Sequence, residues 1–366
     1  MTLKVLTPAE RLAWHRLAQS ENVGPVTFQQ LLRRFGTATD ALDAIPALSQ
    51  KGGLRRPLRL YDAARAEQDF ARAQAVSCRI IAMCEPEYPE LLRHAPSPPP
   101  LIFILGDAAL LAKPIMAVVG ARNASASGLR FTRTIAGALA QAGFVIASGL
   151  ARGIDTAAHE ASLNLGTIAV VAGGVDHFYP PENEKLQRAI AERGVVLSEM
   201  PMACIPKAEH FPRRNRIIAG LAKGTVIIEA AMRSGSLTTA RFANEAGREV
   251  FAVPGSPLDP RCEGTNGLIK DGAHLLTRAS DVLDVIGGMQ IPQAPLFAEE
   301  PSHLSFDAPE TLRSRVLGLL SHTPVEMDDM VREAQAPAEQ VLGIMMELEL
   351  GGQLLRLSGG KVALTP

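Results

Sequence analysis

Between residues 78 and 288 apolar positions come in short unbroken runs, RIIAMC, LIFILG, IMAVVG, FVIASG, TIAVVAGG, VVLSEM, TVIIEA and EVFAVPG. Runs of this length, rich in Val and Ile, predict strands buried on both faces. The spacers over 128–142, 155–165, 183–193, 212–222 and 236–247 carry apolar residues at helical period and predict helices. Doubly buried strands alternating with helices imply a mostly parallel sheet covered on each face. The expected fold class is α/β, with a Rossmann-like doubly wound domain over residues 78–288.

The flanks follow another rhythm. AERLAWHRLAQ, TFQQLLRRFG and YDAARAEQDFARAQA are helical in period and predict a small helical domain over residues 1–77. Within it, ENVGPVTFQQLLRRFG sets the Val23-Gly24-Pro25 turn before an amphipathic helix, as helix-hairpin-helix and sterile-alpha-motif (SAM) modules do. Such a turn either meets a DNA backbone or only packs two helices. Residues 289–310 are rich in proline and small polar residues and predict a linker. Beyond it, three short helices and the hairpin QLLRLSGGKVAL predict a winged-helix domain over 311–366. Its groove-facing helix would carry Glu339, Glu347 and Glu349 with no Lys or Arg, which repels phosphate. That favours a packing or protein-interaction role.

Composition narrows the chemistry. The chain has 366 residues, 47% hydrophobic and 20% charged, with mean hydropathy +0.10 and net charge −1. That charge supplies no global basic field, so any phosphate binding must be local. No apolar run reaches the roughly 18 residues of a membrane span. The N-terminus lacks signal-peptide character, so a cytoplasmic location is expected. Cys78, Cys84, Cys204 and Cys262 form no C-x-x-C pair, and His159-Glu160 lacks the second histidine of H-E-x-x-H. No metal and no cofactor are expected.

In doubly wound sheets ligands bind in the turns beyond the carboxyl ends of strands, and arginine collects there. The first turn offers Gly120, Arg122 and the capping candidates Ser125 and Ser127; the second offers Ser148, Gly149, Arg152 and Gly153, with Asp155 as the expected N-cap. FPRRNRIIAG places Phe211, Arg213, Arg214, Asn215 and Arg216 at a helix start, where the dipole disfavours cations unless an anion compensates. A fourth turn gathers Arg233, Ser234, Gly235 and Ser236, with Glu229 beside them as a candidate partner for Arg213 or Arg214. G-x-G-x-x-G is absent, because Arg122 stands where its second glycine would, and this argues against NAD. No G-x-S-x-G or Walker motif occurs either. Arginine along one sheet edge without catalytic groups suits a nucleic-acid backbone, with Phe211, Phe178 or Tyr179 as stacking rings.

VVGAR, SGLARGID, YPPEN, FPRRNRIIAGL and VIIEAAMRSGSLTTA, in this order, resemble the motif series of the DprA (Smf) family of DNA-processing proteins. The resemblance spans nearly the whole chain, terminal modules included. It implies a non-enzymatic protein of natural transformation. Such a protein binds single-stranded DNA without sequence preference, forms a homodimer, and helps to load the recombinase RecA. It carries DNA contacts onto Arg122, Arg152, Arg214, Asn215 and Arg216. One departure is Pro181, where some members have lysine; Lys185 lies one helical turn on. Two other classes remain open. A nucleotide-processing, phosphoribohydrolase-like enzyme would use Glu229 as its acid, although Arg233-Ser234-Gly235-Ser236 replaces the glycine-threonine segment of such enzymes. The other is an interaction scaffold.

Overall fold

A computed structural model describes residues 3–53, 56, 58–287, 310–357 and 359–365. The chain divides into two compact units, one of Met1–Val5 with Gln68–Pro292, the other of Leu6–Glu67 with Gln293–Pro366. The linker expected over 289–310 lies, apart from its last residue, outside the described residues.

Four helices come first: α1 (Pro8–Gln19), α2 (Pro25–Phe35), α3 (Ala38–Lys51) and α4 (Ala63–Ala75). The start of α1 is a capping box, in which Thr7 Oγ1 accepts from the Glu10 amide while the Glu10 carboxylate accepts from the Thr7 amide. Helix α3, which carries Pro46 inside it, was not among the expected helices. It forms because Ala41, Leu42, Ile45 and Leu48 make one buried stripe, worth more than a single lost backbone bond.

The central unit holds a nine-stranded sheet in the order β1-β2-β6-β5-β4-β3-β7-β8-β9. In chain order its elements are β1 (Arg79–Ala82), α5 (Glu90–Arg93), β2 (Leu101–Gly106), β3 (Ile115–Gly120), α6 (Ala126–Gln141), β4 (Val145–Ser148), α7 (Ile154–Ser162) and β5 (Thr167–Val170). There follow α8 (Glu184–Arg193), β6 (Val195–Ser198), α9 (His210–Leu221), β7 (Gly224–Ile228), α10 (Gly235–Glu245), β8 (Glu249–Ala252), α11 (Glu263–Lys270), β9 (His274–Leu275) and α12 (Ala279–Gly287). All eight apolar runs form strands. The block from β6 to β9 is parallel, while β1 and β2 add antiparallel at one edge. Every residue of β4, β5, β6 and β7 is buried, as a sheet covered on both faces requires. One core joins Met116, Val118, Ile146, Val226 and Phe251 to Ile135 and Leu139 of α6 and Ile154 of α7.

The chain ends in α13 (Glu310–Leu319), β10 (Val325–Glu326), α14 (Met327–Ala334), α15 (Ala338–Leu350), β11 (Leu354–Arg356) and β12 (Lys361–Leu364). Three helices and the sheet β10-β12-β11 make a winged helix around Leu312, Val316, Met330, Val341, Ile344, Met345 and Leu348. Helix α15 also packs on α2 and α3, so this module and the front helices share one unit.

Candidate nucleic-acid interface

The chain runs outward from β3 through β4 and β5 to β6, then returns to the other side of β3 for β7. A doubly wound sheet binds its ligand where the order reverses, here between the ends of β3 and β7. That place is filled from within. Glu229, buried at the end of β7 with φ +53°, accepts from the Ser125 amide at 2.8 Å and from Ser125 Oγ. Ser125 in turn caps α6 through the Gly128 amide at 2.9 Å. A carboxylate thus satisfies the helix start that the sequence left open to a phosphate. It pairs with neither Arg213 nor Arg214. Ser236 donates to the Gly120 carbonyl at 3.0 Å, Ser234 caps α10, and Asn215 donates to the Gly235 carbonyl at 3.3 Å. These residues knit the turns together and do not line the cleft described next.

An open cleft lies to the β4–β5 side of the reversal, lined among others by Arg122, Gly149, Arg152, Tyr179, Phe211 and Arg214. Three separate loops and the first turn of α9 meet there. The Phe211 ring has the Arg122 guanidinium 5.4 Å and the Arg214 guanidinium 5.9 Å from its centroid, with the half-exposed Tyr179 ring at 5.7 Å. The Tyr179-Pro180 peptide is cis. Arg122 meets the Phe211 ring and the cleft, and is not among the arginines that pair with a carboxylate among the described residues. Arg152 is exposed and stands 3.6 Å from the equally exposed Glu182, a loose surface pair.

Arg214 is the unusual member. Only 6% exposed, it lies where Gly149 lacks a side chain: a Cβ there would come within 1.3 Å of its Nη1. Nη1 donates to the Val170 carbonyl at 3.3 Å, and Nε has no hydrogen-bond partner among the described residues. Burial pulls its pKa down to about 10, with the Asp155 carboxylate opposing. Asp155 is not the N-cap of α7, a place taken by Gly153 at φ +79°. It sits in the first turn and accepts from the Gly149 amide at 3.1 Å and the Ala151 amide at 3.3 Å. Burial raises its pKa, and the Arg214 charge lowers it. His159, fully buried with Nδ1 2.7 Å from Thr167 Oγ1, is pushed down to about 3, first by burial and then by Arg214. Arg214 is therefore a buried cation whose only nearby carboxylate is occupied with amides.

The remaining arginines of α9 turn elsewhere. Arg216 donates to Glu199 and to the Ser97 carbonyl, and Arg213 Nε stands 3.4 Å from Glu199 Oε1. Arg213 is half exposed, Arg216 mostly covered. Glu199, the anchor of both, escaped the sequence reading; its only signal was an acid directly after the buried strand VVLS. Arg233 is exposed in the turn before α10.

Family models match three consecutive stretches: the DprA-like N-terminal HHH domain over 8–71, DNA recombination-mediator protein A over 79–287, and the DprA winged helix domain over 300–360. The chain belongs to the DNA recombination-mediator protein A family. It is similar to the DNA processing protein DprA of Bacillus subtilis, 40% identical over 301 residues that cover 81% of this chain and 95% of the relative. The crystal structure of Streptococcus pneumoniae DprA superposes with a TM-score of 0.63 at 36% identity, covering 78% of this chain and 98% of that one. A Helicobacter pylori DprA structure, whose subject is a single-stranded DNA binding mode, superposes at 0.52 with 29% identity over 57% of this chain and 95% of its own. The motif resemblance, the helical front and the winged-helix tail are thus those of one family. No helix among the described residues is long and apolar enough to cross a membrane.

Proposed function

We propose that this chain binds single-stranded DNA through its phosphate backbone, without reading sequence, in the cleft of Arg122, Arg152, Phe211 and Arg214. The observation that carries the reading is Arg214: a nearly buried guanidinium that lines an open cleft beside an aromatic ring, while the Asp155 carboxylate near it accepts from backbone amides. A charge-assisted bond from that group to a phosphate oxygen is stronger than a neutral one, and the Phe211 and Tyr179 rings suit unstacked bases of any identity. The single-stranded DNA binding described for the Helicobacter pylori relative supports the same assignment. Arg213, Asn215 and Arg216 act beside the cleft by holding the α9 start in place. Membership of the family supports the further steps, in which the chain acts as a homodimer and passes the strand to RecA in transformation.

Affinity for a short unpaired oligonucleotide measured against salt tests the binding. With three guanidinium contacts the log–log slope is about −2, so roughly 20-fold is lost between 50 and 200 mM. A flat salt response, or binding that depends on sequence, would overturn the reading. Strand exchange by RecA with wild-type and Arg214→Ala protein tests the delivery step, which requires stimulation by the first and little by the second.

A further inference from the structure

Two surfaces usually given to nucleic acid meet each other in the terminal unit. In a winged helix the third helix enters the groove. Here that helix, α15, buries Val341, Ile344, Met345 and Leu348 in its own module, yet Met346 and Leu350 are buried as well, outside that core. The further burial comes from α2 and α3. Glu347 is shared by Arg34 at 3.6 Å and Arg313 at 2.6 Å, all three side chains 12–13% exposed. Glu349 accepts from Arg356 at 2.9 Å and from Thr27 of α2, and Arg356 reaches Gln30 at 3.3 Å. Arg313 also donates to the Lys51 carbonyl. The turn before α2 is engaged too, with Asn22 Nδ2 donating to the Leu350 carbonyl at 3.0 Å.

Charge and shape agree. Residues 8–67 hold nine Lys and Arg against six Asp and Glu, whereas residues 310–366 hold five against eight. At Gly52 and Gly351 the two backbones touch: a Cβ on Gly351 would lie 2.1 Å from the Gly52 carbonyl oxygen.

We propose that the front helices and the winged helix form a clasp, in which the acidic α15 covers the face that the front helices would offer to nucleic acid. Closed, α15 reads no groove and the positive charge of the front module is neutralised by an acidic helix. Opened, the front module is a second, sequence-independent phosphate-binding surface. This proposal does not depend on the central cleft.

The test uses the full chain in the Arg214→Ala background, which lowers the binding due to the central cleft, and reads the change that each further variant makes. Gly351→Ala is a neutral wedge, because φ −70° and ψ −6° suit alanine while the added methyl meets Gly52. Hydrogen exchange over residues 38–51 and 338–350 should quicken with the central strands unchanged. Affinity for an oligonucleotide should rise at low salt, its log–log slope steepening by about 0.7 for each added phosphate contact. Glu347→Gln should do the same where the wedge variant fails to fold, and Glu339→Gln, an equal charge change at an exposed position of α15, should do neither. Faster exchange without added affinity, unchanged exchange in both variants, or an equal gain from Glu339→Gln would overturn the clasp.

Discussion

Arginine does opposite work in the two units. In the terminal unit Arg34, Arg313 and Arg356 each end on a carboxylate, and Glu347 and Glu349 each serve more than one donor. Around the central cleft Arg122 has no such partner among the described residues, Arg152 only a loose exposed one, and Arg214 is nearly buried beside a carboxylate that accepts from amides. Saturated guanidinium groups hold modules together; unsaturated ones beside an open cleft wait for an anion. Arg213 and Arg216, three residues apart on one helix, show that the difference lies in the neighbours and not in the motif: Glu199 claims both, while Arg214 between them is left over.

The comparison can be broken where the carboxylate is removed. Glu347→Ala removes the carboxylate that two nearly buried arginines share and should cost the terminal unit about 3–5 kcal/mol. The fluorescence of Trp14, the sole tryptophan and a buried residue of α1, reports that unit alone in urea. A loss below about 1 kcal/mol, as for a surface pair, would end the contrast.

Acid should act on the central unit through His159. Its ordinary value of 6.5 falls to about 3 on folding, so the unfolded chain takes up a proton that the folded chain refuses. Stability present above pH 6.5 is lost as the pH falls, by about 2–3 kcal/mol by pH 4.5. Asp155, whose value is raised, has the opposite sign, so the loss should vanish in His159→Gln when urea unfolding of the central unit is followed by hydrogen exchange.

For the cleft itself, Arg214→Ala should weaken oligonucleotide binding by about 1.5–3 kcal/mol, alike for all sequences, in fluorescence anisotropy titrations. Arg152→Ala, removing an exposed and loosely paired cation, should cost under about 1 kcal/mol in the same assay. The reverse order would place the binding centre outside the buried arginine.

Much of the fold was legible because its period is local. Each apolar run forms a strand, and the turns after β3, β4 and β7 fall where glycine and arginine marked them. Helix α3 was not among the expected helices; it carries Pro46, whose local penalty is outweighed by a stripe of four apolar residues that pack in the tertiary structure. The site was legible as a set of residues and not as a geometry. Gly120, Ser125, Ser234, Gly235 and Ser236 read as phosphate contacts because caps and anion sites use the same residue types; in the structure the Ser125 donors go to Glu229, the Ser234 and Ser236 hydroxyls meet each other, and the Gly120 and Gly235 carbonyls accept from Ser236 and Asn215. Glu199 was invisible because an acid after a strand announces no partner.

By itself the amino-acid order determined most of the strands and helices, though not α3 or β9, where the sheet ends gather arginine, and that α15 would repel phosphate. These follow from side-chain period and charge, which are properties of neighbouring residues. Only the tertiary structure decided which carboxylate reaches which guanidinium. Glu199 meets Arg216 of α9, 17 residues further on, and Glu347 meets Arg34 of α2 across most of the chain. Whether a cation is neutralised or left facing solvent depends on distances of a few ångströms that no local pattern encodes.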